Sequence, residues 1–165
     1  MNEVYIITSE SGDEYKLQFT TERSGIIADS ILDQLNENGI EVVEIGLGRT
    51  KGLNVTSHFV LAQIEECIYD LMQKHRNVVF SFFCDFIHVV PSKKNIPVQE
   101  YRSRLFSAMF DRFVSLHHLE GLCNHVVVID GVVEKFYFHI IYPKEYEAYA
   151  DMISEGHQKD FGKPE

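Results

Sequence analysis

The sequence predicts one α/β domain built on a single mixed sheet, and three observations lead to this prediction. The chain has 165 residues, which is the size of one ordinary hydrophobic core. Its residues are 45% hydrophobic and 12% aromatic, enough to fill such a core. Segments with β-type patterns alternate with segments of helical periodicity, in the order β-β-α-β-α-β-α-β-β-α. We therefore expect a single domain over residues 1–156, with helices packed on the sheet, and a flexible polar tail over 157–165.

Turn and cap residues define the first hairpin and the first helix. Two β-rich segments flank residues 10–13, Glu-Ser-Gly-Asp, which favour a short turn. Ser24 is a candidate N-cap, and apolar residues recur at helical spacing as far as Leu35. The pair Asn38-Gly39 is a typical helix stop.

Apolar runs define the middle of the chain. Residues 40–45 form a short β-rich run, and apolar residues from Val60 to Met72 form a helical stripe. Residues 78–84, Val-Val-Phe-Ser-Phe-Phe-Cys, are almost entirely apolar, as expected of a strand buried on both faces in the middle of a sheet. Pro97 is well placed at the start of a third helix that runs to about residue 116.

The last part of the chain predicts a second hairpin and a final helix. Asp130-Gly131 separates two β-rich runs and favours a turn whose twist matches paired strands. A helix from Lys144 to about residue 155 follows. Helices connect the strands near residues 40, 78 and 125, so right-handed crossovers make those three strands parallel.

Composition limits the function classes. The formal net charge is −10 and the isoelectric point is about 5.2, which opposes general binding to nucleic acid or to an anionic membrane. The N-terminal segment carries acid where a secretory signal needs cations, and no run reaches the roughly 20 apolar residues of a membrane span. The three cysteines are an odd number without CxxC spacing, which favours reduced thiols. We expect a cytoplasmic protein.

Two predicted loops carry the cations that interest us most. If the middle strands are parallel, the loops after residues 45 and 84 open at the same carboxyl edge, where α/β folds bind ligands. Helix N-termini and glycine-rich backbone both favour anions. The edge is therefore a candidate site for a phosphate, a nucleotide or an acidic partner, although solvated loops without a ligand remain the alternative. Its candidate residues are Gly46, Gly48, Arg49, Lys51 and Gly52 in the first loop and His88, Lys93 and Lys94 in the second.

Several catalytic motifs are missing from the sequence. The glycines after residue 45 are not followed by the Gly-Lys-Ser/Thr of a Walker loop, and they lack the GxGxxG spacing of a dinucleotide site. The eight histidines show no HExxH or other tight metal-ligand spacing, so we expect no metal. The sequence contains no GxSxG elbow, the motif that would indicate a covalent hydrolase.

Two arginines of the third helix have different expected roles. At about 100° per residue, Arg102 falls in the apolar arc that includes Leu105 and Phe113, and it should be largely buried. A buried guanidinium needs an anionic or carbonyl partner, and Asp85 is the best candidate, either in a structural ion pair or in a substrate site. Arg104 is expected to form an ordinary surface pair with Glu100.

A motif formed by these residues resembles that of a family of small bacterial proteins without an assigned activity. Residues 83–85, Phe-Cys-Asp, and 102–110, Arg-Ser-Arg-Leu-Phe-Ser-Ala-Met-Phe, resemble its Cys-Asp and Arg-x-Arg-x-Phe-x-x-Trp-Phe pattern. Met109 stands where tryptophan is usual, and the connection between the two parts is longer. The resemblance implies a link between Asp85 and Arg102.

The order of elements is also similar to the C-terminal half of the GNAT N-acetyltransferases. That resemblance implies acetyl-CoA as cofactor, with its pyrophosphate held at residues 46–52 and a pantetheine cleft between splayed strands. Asp85 or Tyr142 would serve as the acid or base. The Arg/Gln-x-x-Gly-x-Gly/Ala signature of that family is absent, because Gly52 is followed by Leu-Asn.

Two functions follow as hypotheses. The first is a binding or interaction protein without a cofactor, which takes a small anionic ligand or a protein partner at the carboxyl edge and has an exposed apolar patch that could support a homodimer. The alternative is an acyltransferase-like enzyme that uses acetyl-CoA.

Overall fold

Strands and helices follow one another in the order that the sequence predicts. The computed structural model describes residues 1–21, 25–54, 58–84, 96–131 and 135–155. The described strands are β1 (Asn2–Thr8), β2 (Glu14–Thr21), β3 (Glu41–Lys51), β4 (Val78–Cys84), β5 (Leu122–Asp130) and β6 (Lys135–Pro143). The described helices are α1 (Asp29–Glu37), α2 (His58–Lys74), α3 (Val98–His117) and α4 (Glu147–Glu155), with a short 3₁₀ turn at Lys144–Tyr146.

All six described strands belong to one mixed sheet with the order β1-β2-β3-β4-β6-β5. The neighbours β3 and β4 are parallel, and the other neighbouring pairs are antiparallel. Strand β5 therefore runs in the same direction as β3 and β4, as the crossover rule predicts. Strand β6 lies between β4 and β5, so β5 forms an edge of the sheet and β1 forms the other.

Helices cover both faces of the middle of the sheet. Residues of α1 and α4 pack with Val79 in one apolar cluster, and residues of α2 and α3 pack with Phe80 in the other. We call these two sides the α1/α4 face and the α2/α3 face. Because Val79 is 0% exposed and Phe80 is 3% exposed, β4 is buried on both sides, and the prediction of a central strand is confirmed.

The first helix is shorter than predicted. Helix α1 begins at Asp29, with Ala28 at the N-cap position and no side-chain cap. The predicted N-cap, Ser24, lies outside the described residues. The predicted end is confirmed, since Asn38 is the C-cap and Gly39 has a φ of 75°.

The buried side of α3 differs in part from the predicted one. Phe113 of the predicted apolar arc is 4% exposed, but Leu105 of the same arc is 39% exposed. Gln99 and Ser103, which lie outside that arc, are 2% and 5% exposed. The helix is thus rotated so that Ser103, rather than Arg102, faces the sheet. This orientation is stable because Ser103 has a buried hydrogen-bond partner and Phe106 has an aromatic partner, as shown below.

The second hairpin has the predicted strands but a different connection. Asp130 pairs with Lys135, so four residues separate the strands, whereas a two-residue turn would place Ile129 opposite residue 132. Residues 132–134 lie outside the described residues, as does the predicted tail. No helix in the described ranges is long and apolar enough to cross a membrane. Of the cysteines, Cys67 and Cys123 are half-buried free thiols.

Candidate functional site

The glycine-containing segment after residue 45 is part of a strand and not a loop. Strand β3 continues to Lys51, and its second half pairs with β2, as in Gln18↔Gly46 and Lys16↔Gly48. The predicted strand end was therefore wrong. The ladder to β2 is made by backbone groups, so it does not depend on side chains at the two glycines.

The sheet opens between its two parallel strands. The pairing of β3 with β4 runs only from Glu41↔Val78 to Glu44↔Ser81. Beyond those pairs β3 continues along β2 as far as Lys51, while β4 continues along β6 as far as Cys84. We call the space between these two strand ends the β3–β4 opening. It lies at the carboxyl edge of the parallel pair, where the sequence predicts a ligand site.

The backbone of β3 faces this opening at every second residue. Ser9 N–H donates to Asp13 O at 2.8 Å, so odd-numbered residues on β2 face β1 and even-numbered ones face β3. Gln18 pairs with Gly46, which places the even-numbered residues of β3 towards β2. The N–H and C=O groups of Leu47 consequently point into the β3–β4 opening.

The two predicted cations of β3 lie near the end of that strand and have partners on β2 or in the segment that follows β3. Arg49 lies over the Tyr15 ring, with Cζ 5.1 Å from the ring centroid, and its Nη1 donates to Asn54 O at 2.5 Å. Lys51 Nζ lies 3.6 Å from Glu14 Oε2, and its side chain is 71% exposed. Arg49 is therefore held in place, whereas Lys51 is exposed and only loosely paired.

Gly52 has a structural role at the end of β3. Its φ is +89°, and a Cβ atom at this position would lie 1.5 Å from Asp13 Oδ1. The Asp13 carboxylate is buried and accepts hydrogen bonds from Ser11 Oγ at 3.2 Å and from Asn54 N at 3.5 Å. Gly52 thus allows the β1–β2 turn to pack against the segment that follows β3.

The remaining predicted site residues are only partly described. Asp85, His88, Lys93 and Lys94 lie outside the described residues. Arg102 is half-buried and already engaged in an interaction, so it is not a free cation. The predicted surface pair on α3 is confirmed, with Arg104 Nη2 2.8 Å from Glu100 Oε1.

A buried polar network beside the opening was not predicted from the sequence. Ser103 Oγ lies 2.8 Å from His139 Nε2, and His139 Nδ1 lies 3.0 Å from Asn124 Oδ1. Asn124 Nδ2 donates to Ser107 Oγ at 3.4 Å, which returns the chain of hydrogen bonds to α3. The His139 ring also packs against Phe106, at a centroid distance of 4.7 Å.

The network requires neutral histidine. Burial lowers the pKa of His139 from 6.5 to about 4. Asn124 uses its amide nitrogen towards Ser107, so its oxygen accepts the proton on His139 Nδ1. His139 Nε2 then accepts a hydrogen bond from Ser103 Oγ.

This order of groups is that of a nucleophile, a base and an orienting residue, but burial gives it another role. Ser103 is 5% exposed and His139 is 0% exposed, so a substrate cannot reach the hydroxyl in this structure. The network instead holds α3 against β5 and β6. In the sequence, the signal for this network is His139, an ionisable residue within the apolar strand 135–143. Its contacts with residues 103 and 124 depend on the tertiary fold, so the sequence does not predict them.

Of the two tyrosines of β6, Tyr137 lies at the carboxyl edge of the sheet and Tyr142 does not. Tyr142 pairs with Cys123 at the opposite end of the sheet, where it is buried. Tyr137 lies opposite Cys84, at the carboxyl edge. Burial raises the pKa of Tyr137, and the negative charge of Glu100 raises it further. Its phenol is therefore protonated at neutral pH.

Comparison of the chain with known proteins identifies no similar protein. No protein-family model, curated protein or solved structure matches the chain. Among the described residues, no group of three or more His, Cys, Asp or Glu side chains is arranged to hold a metal ion. The resemblances in motif and in element order noted above stay predictions.

Proposed function

We propose that the protein is a binding module that takes an anionic ligand or an acidic partner segment at the β3–β4 opening. The observation that carries this proposal is that β3 and β4 stop pairing after four residue pairs although both strands continue. In this opening the outward backbone groups of Leu47 have no partner on β4, so they are available in the sheet ladder for pairing with a ligand.

Charge supports an anionic ligand. The protein as a whole has a net charge of −10, yet Arg49 and Lys51 lie together near the end of β3. The Arg49 guanidinium is oriented by Tyr15, which reduces the entropy lost when it binds. Lys51 is exposed and can exchange Glu14 for a ligand oxygen.

Exposed apolar side chains on β3 and in the chain that follows it support a ligand that also has an apolar part. Leu47, Leu53 and Phe59 are 38%, 99% and 77% exposed. Leu47 lies on β3, Leu53 follows that strand, and Phe59 lies in the first turn of α2. A ligand with an apolar part gains free energy by covering exposed side chains of this kind.

The test is a ligand-induced thermal shift with a charge-matched control. Phosphate, sulfate, ATP, CoA and acetyl-CoA are added to the wild type and to an Arg49→Ala/Lys51→Ala variant. The control variant, Arg76→Ala/Lys144→Ala, removes two exposed cations from the other end of the sheet. At 100 times its dissociation constant a ligand adds about 2.7 kcal/mol, a shift of a few degrees.

Comparison of the two variants decides the outcome. A shift in the wild type and the control that is lost in Arg49→Ala/Lys51→Ala supports an anion site at the opening. Loss of the shift in both variants indicates a general effect of charge and contradicts the proposal. The absence of any shift rules out these anions as ligands and directs the search to acidic peptides.

A second candidate is an acetyl-CoA-dependent acyltransferase similar to the GNAT enzymes. The separation of β3 from β4 favours it, because the resemblance implies a pantetheine cleft between splayed strands. Tyr137 then takes the place of Tyr142 as general acid, since it lies at the carboxyl edge and is protonated. A thermal shift specific to CoA compounds, with acyl transfer reduced at least tenfold in Tyr137→Phe, would favour the enzyme over the binding module.

A further inference from the structure

Strand β1 presents an unpaired backbone edge. It lies at one end of the sheet and pairs only with β2 among the described strands. Thr21 N–H donates to Met1 O at 3.2 Å, so the odd-numbered residues of β1 face β2. The even-numbered residues, from Asn2 to Thr8, direct their N–H and C=O groups outwards.

The same edge lacks the bulges, prolines and lysines that often prevent strand pairing. The register with β2 runs through seven consecutive pairs without a bulge, and β1 contains no proline and no lysine. Its single charged side chain, Glu3, accepts a hydrogen bond from Tyr5 Oη at 2.9 Å and lies 3.3 Å from His75 Nε2. That carboxylate is therefore directed over the α2/α3 face and not along the edge.

Two exposed apolar side chains lie on the other face of β1. Val4 is 47% exposed and Ile6 is 57% exposed. They alternate with Tyr5 and Ile7, which belong to the cluster on the α2/α3 face. Among the described residues, no member of β1 or β2 belongs to the cluster under α1 and α4, so this face of β1 has no helix beside it.

At the opposite edge of the sheet, helices lie beside both faces of the edge strand. Strand β5 also has exposed valines, but side chains on both of its faces form hydrogen bonds with helices. Asn124 is bonded to Ser107 of α3, and His125 Nε2 lies 3.1 Å from Ser154 Oγ of α4. A chain that added to β5 would meet a helix on either side, whereas β1 is open on the α1/α4 face.

We propose that β1 pairs with β1 of a second copy of this chain. A two-fold axis through Tyr5 makes the strands antiparallel and places Val4 opposite Ile6 of the other copy, and Asn2 opposite Thr8. Every outward N–H and C=O group of the strand then has a partner, giving about eight backbone hydrogen bonds. The two chains form one continuous sheet of twelve strands, twice the six of one chain.

The side chains are compatible with this register. Val4 and Ile6 form two apolar cross-strand pairs on the open face, the type of contact that stabilises antiparallel sheets. Glu3 lies opposite Ile7 of the other copy, so no like charges are directly opposed. Because the contacts are apolar and main-chain, the dimer is expected to tighten when salt screens the net charge of −10 on each copy.

The test is sedimentation of the full chain over a range of concentrations, with matched edge variants. The wild type is expected to reach a mass of about twice 19.1 kDa. Val4→Lys is expected to raise the dimer dissociation constant at least tenfold. Val128→Lys is the matched control, because Val128 on β5 is also 47% exposed. Ile6→Lys is a second variant at the proposed edge, and circular dichroism checks that each variant is folded.

Each result decides for or against pairing through β1. A dimer that dissociates with Val4→Lys and Ile6→Lys but not with Val128→Lys supports the proposal. A monomer at all concentrations overturns it. Dissociation by Val128→Lys alone places the interface at β5, and dissociation by all three variants indicates head-to-tail pairing of β1 with β5; both overturn it.

Discussion

Ser103 of α3 and His139 of β6 are joined by a buried hydrogen bond of 2.8 Å between Oγ and Nε2. The histidine lies in a strand next to β4, and the serine lies on the helix that covers both strands. Phe82 of β4 and Phe106 of α3 stack beside this bond, at a centroid distance of 4.4 Å. One polar and one aromatic contact therefore set the position of α3 next to the β3–β4 opening.

The pH dependence of stability should report on His139. Burial lowers its pKa to about 4 in the folded protein, from 6.5 for a histidine exposed to water as in the unfolded chain. Between these values the unfolded chain binds a proton that the folded chain does not, so stability is lost as pH falls from about 6.5 towards 4. The full loss is about 3 kcal/mol. Urea unfolding at several pH values measures it.

A His139→Gln variant separates this effect from the titration of carboxylates. The variant is less stable than the wild type at pH 7, because it disturbs a packed network. The difference should shrink as pH falls, since only the wild type must protonate His139. If the free energies of unfolding of the wild type and the variant differ by the same amount from pH 7 to 4.5, His139 does not titrate with a lowered pKa.

Removing the serine hydroxyl should destabilise the fold. In Ser103→Ala the buried Nε2 of His139 loses its donor, and an unsatisfied buried polar group costs about 1–3 kcal/mol. Ser107→Ala is the control on the same helix, one turn away. Its hydroxyl is half-buried and makes a longer bond of 3.4 Å, so the smaller loss is expected there. Equal losses in urea unfolding would contradict a special role for Ser103.

Gly52 should tolerate no side chain. Gly52→Ala places a Cβ against the buried Asp13 and keeps a φ of +89°, so a cost of about 1–3 kcal/mol is expected. Gly48→Ala is the control, because nothing lies within 4 Å of a Cβ there and its φ is not positive. That variant should change the free energy of unfolding by less than about 0.5 kcal/mol. Similar melting temperatures for the two variants would contradict the close packing of Gly52 against Asp13.

The elements that the sequence predicts well are those defined by local apolar patterns. The bounds of β4 are the predicted ones, because a short unbroken apolar run is typical of a strand that is buried on both faces. The end of β3 was missed because Gly46 and Gly48 favour a loop in isolation, whereas pairing with β2 extends the strand. Tertiary pairing thus overrides local propensity.

Long-range contacts explain why the candidate site was only partly predicted. The parallel direction of β3 and β4 was predicted correctly from the crossovers, yet the opening depends on where the two strands stop pairing, which no local pattern encodes. The polar network joins residues 103, 124 and 139, which are far apart in the chain. The stripe predicted for α3 is correct at Phe113 but not at Leu105 for the same reason, because a polar Ser103 is favourable in the core only with a partner on another element.

The ion pair between α2 and α3 should contribute far more than the surface pair of α3. Arg112 Nη2 lies 2.6 Å from Oε1 of Glu65, whose side chain is 6% exposed, whereas Arg104 pairs with the more exposed Glu100. Arg112→Ala leaves a buried carboxylate without its partner. Because Arg112 itself is 49% exposed, solvent screens the pair and reduces the cost to about 2 kcal/mol. Arg104→Ala is expected to cost less than about 0.5 kcal/mol.

A charge-neutral variant tests the cause of this difference. If the cost comes from the uncompensated charge, Arg112→Ala/Glu65→Gln should be more stable in urea than Arg112→Ala alone, because the amide is cheaper to bury than the carboxylate. The contact between α2 and α3 through Tyr69 and His117, stacked at 4.1 Å, remains in both variants. Equal stabilities of the single and double variants would mean that water reaches Glu65 once Arg112 is removed, so that the carboxylate no longer carries a desolvation cost.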